Sequence, residues 1–281
     1  MNLKTILLSG AFALLSITFI WGQSNINIGV RGGLTVPNLM GGSQDNPLNT
    51  GYSTTMRWGA GIFAEFKLSQ LFSIQPMLEF SEQGAKKNGF QALPTPDELA
   101  PVFGQMGQPT PTYLYADFKS NAKFNYLMLP VLAKFGWNFS KTSPFRIYVD
   151  AGPFIGLLVS AKQVISGGDK PVYMDDKGTT PLMVPARNPD TGELLYDANG
   201  QPMMGQLPLP FDRTENIKNQ LHPVNFGVEG NVGLQYQIKR HFIFIEGGGN
   251  YGLLNIQKGT ANGKNHSGAA TVMVGYAFAL K

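Results

Sequence analysis

The chain has no cysteine, which excludes a disulfide framework, a thiol nucleophile and a thiolate metal site. Charge is sparse, at 14 % of residues, where an average globular domain carries about 25 %. With 22 basic and 18 acidic residues the net charge is only +4, far from the basic excess a nucleic-acid footprint needs. Three histidines leave few candidates for acid–base chemistry. After the first two dozen residues there is no apolar run of the roughly 20 residues that a membrane helix requires. Abundance lies elsewhere: 34 glycines, 19 phenylalanines, and apolar side chains at every second position.

Residues 1–22 read as a secretory signal peptide: Lys4, an apolar run from Ile6 to Trp21, then small or polar Gly22-Gln23-Ser24. From residue 25 to residue 281 the dominant period is two, the signature of half-buried strands. Ile26, Ile28, Val30 and Leu34 alternate with Asn27, Gly29, Arg31 and Gly33. Trp58, Ala60, Ile62 and Phe66 alternate with Arg57, Gly59, Glu65 and Lys67, and Ile74, Leu78 and Phe80 with Gln75, Met77 and Glu79. The scheme returns at about residues 124–135, 145–160, 224–238, 242–253 and 271–280, giving eight strands. Inside them Arg31, Arg57, Glu65, Lys67, Glu79, Lys134, Arg146, Asp150, Glu229 and Glu246 all fall on one parity. The apolar parity carries no charge.

Alternation does not by itself say which face is outside; a soluble eight-stranded barrel would turn the apolar parity inward. Three features favour the inverse. The polar parity is crowded with glycine (Gly29, Gly33, Gly59, Gly61, Gly152, Gly156, Gly227, Gly233), suited to the concave side of a narrow barrel. Trp58, Tyr236, Tyr251 and Tyr276 on the apolar parity suit interfacial girdles. Connections near 69–70, 136–144 and 239–241 are short, whereas 36–56, 84–122, 161–222 and 255–267 are long. Short periplasmic turns, long extracellular loops and an even strand count describe an outer-membrane barrel, which must close to satisfy its backbone within lipid. The expected fold is therefore all-β, an eight-stranded antiparallel transmembrane barrel in the cell outer membrane, contacting its lipid. Pro76, Pro130 and Pro153 lie inside strands and lack a ladder donor, so bulges or kinks are expected there.

Several segments resemble PorT-family outer-membrane barrels of Bacteroidetes-type bacteria. They are Ser73-Ile-Gln-Pro-Met-Leu-Glu-Phe-Ser81 with Gly84-Ala85-Lys86, Tyr126-Leu-Met-Leu-Pro-Val-Leu-Ala-Lys134, Ala151-Gly-Pro-Phe-Ile-Gly-Leu-Leu-Val-Ser-Ala-Lys162 and Tyr251-Gly-Leu-Leu-Asn-Ile256. The resemblance implies the barrel fold and outer-membrane location. The family name comes from a component of a secretion and gliding system, although most members have no such assigned role. This chain departs from the family at Met77 and Met128, where Glu is frequent, and at Gly248, where Arg is frequent.

An eight-stranded barrel is filled by its own side chains, so the ten charges of the polar parity are expected to pair and plug the bore. No cofactor or metal site is expected: the Asp-Gly elements at 175–178, 190–192 and 197–200 lack the twelve-residue calcium spacing and are turn signals. Glu193–Tyr196 and Gln201–Met204 are expected to flank a hairpin at Asn199-Gly200. The Pro- and Gln-rich stretch 91–113 reads as an irregular loop, with Phe103, Met106, Thr110, Tyr113 and Tyr115 packing on neighbouring loops. His222, His241 and His266 give little support for a lipid-modifying enzyme, since His266 and Ser267 point to opposite faces of a strand. The expected role is non-enzymatic, structural or interactive, with residues 84–122 and 161–222 offering surface to a membrane-protein partner. The alternatives are an accessory of a secretion machine and a loop-based binder of glycans or small ligands.

Overall fold

The computed structural model describes residues 26–41, 46–259 and 263–280; the expected signal peptide lies outside these described residues. Eight long strands form: β1 (Ile26–Gly41), β2 (Arg57–Lys67), β3 (Phe72–Pro94), β4 (Tyr113–Asn138), β5 (Phe145–Ser166), β6 (Val224–Ile238), β7 (His241–Gly252) and β8 (Asn265–Ala279). Each pairs antiparallel with the next, and β8 pairs with β1. This ring of pairings leaves no sheet edge within its lower part. Both ends of the chain's barrel lie with the three short turns, because the start of β1 is in register with the end of β8 (Ile28↔Phe278).

The apolar parity is the outer wall. Ile62, Val131 and Val232 are 58 %, 43 % and 55 % exposed, whereas a side chain in a soluble core would be covered. Phe135, Trp137, Phe139, Phe145, Tyr236 and Tyr276 crowd the outer surface at the short-turn end. The opposite margin carries Trp58 against Phe80 (centroids 4.9 Å apart) and Tyr251 stacked on His266 (5.9 Å).

Pairing is irregular beside each of the three prolines, in the form of openings in the ladder. The ladder of β2 with β3 is interrupted between Phe63↔Met77 and Phe66↔Ile74, beside Pro76. That of β3 with β4 is interrupted between Pro76↔Val131 and Glu79↔Met128, and that of β4 with β5 between Pro130↔Phe154 and Ala133↔Ala151. Register is the same on both sides of each gap. The missing N–H is thus absorbed by a local opening of the ladder, with no extra residue. The one register shift in these pairings lies higher, between Asn125 and Tyr126, where Val159 of β5 is passed over.

The lengths of the long connections also need correction. Strands β3, β4 and β5 run for 23, 26 and 22 residues, against the 9–11 or so that cross a membrane. Residues 84–94, 113–122 and 161–166, read as loop, continue the ladder well beyond the barrel wall, and β1 and β8 likewise reach Gly41 and Asn265. The stretch 91–113 is not irregular throughout: a 3₁₀ turn Asp97–Leu99 runs into a short helix, Ala100–Gln105. Phe103 from that helix is fully buried with Leu114, Ala116, Phe118, Ile165, Val172, Leu182 and Phe211 in a second apolar core above the barrel, and Met106 packs on it. The free edge of upper β5 is covered by residues 213–216. The hairpin at Asn199-Gly200 forms as expected, with Met203 N–H donating to Leu195 O at 2.8 Å.

Candidate functional site

Two regions concentrate polar chemistry: the bore of the barrel and a chamber above it. In the bore, Arg31 is flanked in the ladder by Gly61 and Gly275, which leave its side chain room to cross the interior. It reaches three carboxylates from three other strands. Its guanidinium donates to Glu246 Oε1 and Glu229 Oε1, each at 2.7 Å, and to Glu79 Oε2 through both Nε (3.0 Å) and a terminal nitrogen. The surplus negative charge is shared outward: the Tyr148 hydroxyl donates to Glu246 at 2.7 Å, and Asn231 donates to Glu229 at 3.2 Å and to Asp150 at 2.9 Å. Lys134, level with Asp150 in the β4–β5 register, donates to Gln75 at 3.2 Å and sits 3.8 Å from the centre of the Tyr148 ring.

The other predicted positions lie toward the two mouths. Glu65 accepts from Asn27 at 3.0 Å and Ser73 at 2.8 Å, and Lys67 lies 4.9 Å from the Phe242 ring centre. Arg146 donates to the carbonyls of Gln70 and Gly136, and Arg57 to Asn121 at 2.6 Å. Nine of the ten are buried and Lys67 is half-buried. Among the described residues, one arginine gathers three glutamates, while the other bases rest on amides, carbonyls and ring faces. Stagger between strands decides this, since it sets which inward residues share a height. Where Arg is frequent in PorT-family barrels, Gly248 has no space: a Cβ there would meet Gly230 O at 2.2 Å and Asn231 Oδ1 at 2.3 Å. Met77 and Met128 are buried in apolar clusters instead of charged ones.

Above the bore, the prolonged strands β3–β5 and the long connections enclose a chamber of about 880 Å³. Its walls come from both apolar cores, with Leu39, Phe124, Phe118 and Phe211 among them, and its polar groups include Lys87, Gln91, Ser120 and Gln163. This falls in the range of about 300–1,000 Å³ typical of small-molecule sites, which are mostly apolar with few polar groups. Nothing in the loop-by-loop reading pointed to it. A signal was present, however: in β4 the even positions Leu114, Ala116 and Phe118 are buried and the odd positions Asp117 and Lys119 are exposed. Alternation continues above the lipid with the apolar side turned inward.

With this geometry, residues 21–258 match the family model described as outer membrane protein beta-barrel domain. The chain belongs to that family. Among solved structures it is similar to Neisserial surface protein A (10 % identity, 89 % of this chain and 96 % of that one covered, TM-score 0.36). It is similar also to OprG from Pseudomonas aeruginosa (12 %, 92 % and 98 %, 0.35) and to the attachment invasion locus protein Ail of Yersinia pestis (9 %, 90 % and 99 %, 0.35). No curated protein matches the sequence.

As an outer-membrane barrel, the protein faces the periplasm with its short turns and the exterior with its long connections. The chamber and the second apolar core are therefore extracellular. His241, at a periplasmic turn, contacts the Tyr276 hydroxyl at 2.6 Å. His266 contacts Gly252 O at 3.2 Å, while Ser267 is buried and accepts from Asn225 at 2.9 Å, so the two point apart. The backbone N–H of His222 donates to Ile256 O. In the loop 175–180, Asp175 accepts from the backbone of Thr179, Thr180 and Lys177. These bonds hold its carboxyl well below the usual carboxylate range and close the turn, as Asp side chains commonly do.

Proposed function

We propose that this outer-membrane barrel is a non-enzymatic interaction protein in which the membrane part anchors and the extracellular part does the work. One observation carries the reading: the long connections are folded over a buried core of their own instead of being loose. That superstructure presents apolar groups to the outside, far from lipid. Met183, Leu195, Tyr196, Met203 and Met204, on and beside the terminal hairpin, are 38–57 % exposed. Exposed apolar clusters beyond the lipid mark contact surfaces, and methionine suits an adaptable one. The charge network argues against a pore, since the bore is closed by Arg31 and its carboxylates. Resemblance to PorT-family barrels supports placing the protein beside them; a secretion accessory would show itself by a stoichiometric membrane partner.

Two measurements test this. Reconstituted in planar bilayers, the protein is expected to give no steady ion conductance. Excision of residues 187–202, which removes Leu195 and Tyr196 and whose flanks are already joined by Ala186 N–H donating to Met203 O at 2.7 Å, is expected to leave a heat-modifiable barrel and weaken partner capture from native envelopes. Steady conductance, or capture unaffected by the excision, would overturn the reading.

A further inference from the structure

Three cations line the chamber among its apolar groups: Arg213 and Lys258 are exposed, the former paired with Glu215 and the latter donating to Asn219 O, and Lys87 alone of the three is buried. Lys87 lies on the inward parity of β3, above the membrane, and is 9 % exposed. A lysine ammonium has three donors. Here one is used, on Leu48 O at 3.1 Å, and the Tyr52 ring centre lies 5.2 Å away. Among the described residues no carboxylate stands within ion-pair distance of it. Of the acids lining the same chamber, Glu215 is held by Arg213 at 2.5 Å, and Asp97 belongs to the 3₁₀ turn at its rim. Burial, with nothing opposing it, pushes the Lys87 ammonium below its ordinary range. A buried charge without a counter-charge is costly, and a chain could avoid it by placing an apolar residue there.

We propose that the chamber binds a single-chain amphiphile bearing one anionic end group, its apolar chain lying between Phe124 and the Phe118–Phe211 pair and its anion on Lys87 Nζ. The Phe118 and Phe211 rings are stacked, with centroids 4.5 Å apart, and both line the chamber. The anion supplies the acceptors that Lys87 lacks; the chain supplies apolar area for the walls. This inference rests on the extracellular part being the working part.

The test uses the full chain in phospholipid nanodiscs, free of dodecyl detergents that would compete. Binding of radiolabelled dodecanoate, dodecyl phosphate, dodecanol and dodecyltrimethylammonium is compared. Both anions are expected to bind at least tenfold more tightly than the alcohol, and the cation more weakly than the alcohol; the ratio of the two anions separates a carboxylate from a phosphate ligand. Lys87→Gln is expected to remove the anion preference and spare dodecanol binding, Lys87→Arg to retain it, and Ser120→Trp, which puts an indole into the chamber, to weaken binding of all four. The wild-type comparison stands even where a variant fails to give a heat-modifiable barrel. Equal binding of anion and cation, an anion preference surviving Lys87→Gln, or no binding of any probe overturns the proposal. None of these results changes the conductance or partner-capture outcome that tests the broader reading.

Discussion

Replacing Arg31 by methionine removes the guanidinium and leaves Glu79, Glu229 and Glu246 facing one another in a closed bore. Arg31 makes four contacts with these carboxylates, and every side chain involved is at most 3 % exposed. Removing one partner of a buried pair costs about 3–5 kcal/mol, most of it from the charge left behind. Here three buried carboxyls lose their partner at once, so the cost belongs at the upper end, about 5 kcal/mol. Single Glu229→Gln or Glu246→Gln changes leave Arg31 with two carboxylates and lose one charge-assisted bond, about 1.5–3 kcal/mol. The combined variant Arg31→Met with Glu79→Gln and Glu229→Gln should regain most of the loss, because it removes the repulsion along with its remedy. Urea unfolding in phospholipid vesicles, followed by the heat-modifiable gel shift, reads all these values. A loss below about 1 kcal/mol for Arg31→Met, the level of an exposed pair, would refute the claim that the network is buried and closed.

Three further outcomes follow from local geometry. In Gly152→Ala the new Cβ would meet Val131 O at 1.9 Å, beside the ladder gap next to Pro153; overpacking typically costs about 1–3 kcal/mol, so the urea midpoint should fall. Phe103→Ala empties a fully buried position of the extracellular core at a cost of about 3–5 kcal/mol; amides near Val172 and Leu182 should exchange faster, with those near Leu132 still protected. The Asp175 carboxyl is depressed from 3.8 chiefly by the Thr179 N–H, so the folded state binds fewer protons than the unfolded chain. Its contribution is fully present above that ordinary value and is lost as pH falls through the depressed one. Carbon NMR should find Asp175 still ionised at about pH 3, where an ordinary Asp is largely protonated; a normal titration midpoint would contradict the turn geometry.

The barrel was legible because lipid and bore impose opposite demands on alternate residues. Ile62 and Glu65 could not exchange faces at any tolerable cost, and ten charges on one parity made the assignment. The partners of Arg31 were not legible. Glu79, Glu229 and Glu246 are 48, 198 and 215 residues away, and only strand stagger brings them to one height. The upper staves were misread for a different reason. Where water replaces lipid outside, Lys119 and Asp117 belong on the outer face and Phe118 on the inner, and the search for outward apolar residues ends too soon. Lys87 shows the limit most clearly. Next to Lys86 and Asn88 it reads as a solvated surface residue, and only the fold of residues 46–56 over it encloses it.

The ladder that β3, β4 and β5 carry from the barrel wall into the extracellular part also has a mechanical meaning. In β4, residues 119–125 are hydrogen-bonded to β3 on one side and β5 on the other, with the same strands continuing down through the wall. A pull applied to the upper ends of β3, β4 and β5 therefore runs along the strands and loads many bonds in parallel, as shear, whereas the terminal hairpin, paired only within its own two-stranded sheets, hangs from them. The lower half of the exterior is rooted in the membrane wall like a mast stepped into a keel, and the terminal hairpin is rigged to that mast by its own short sheets.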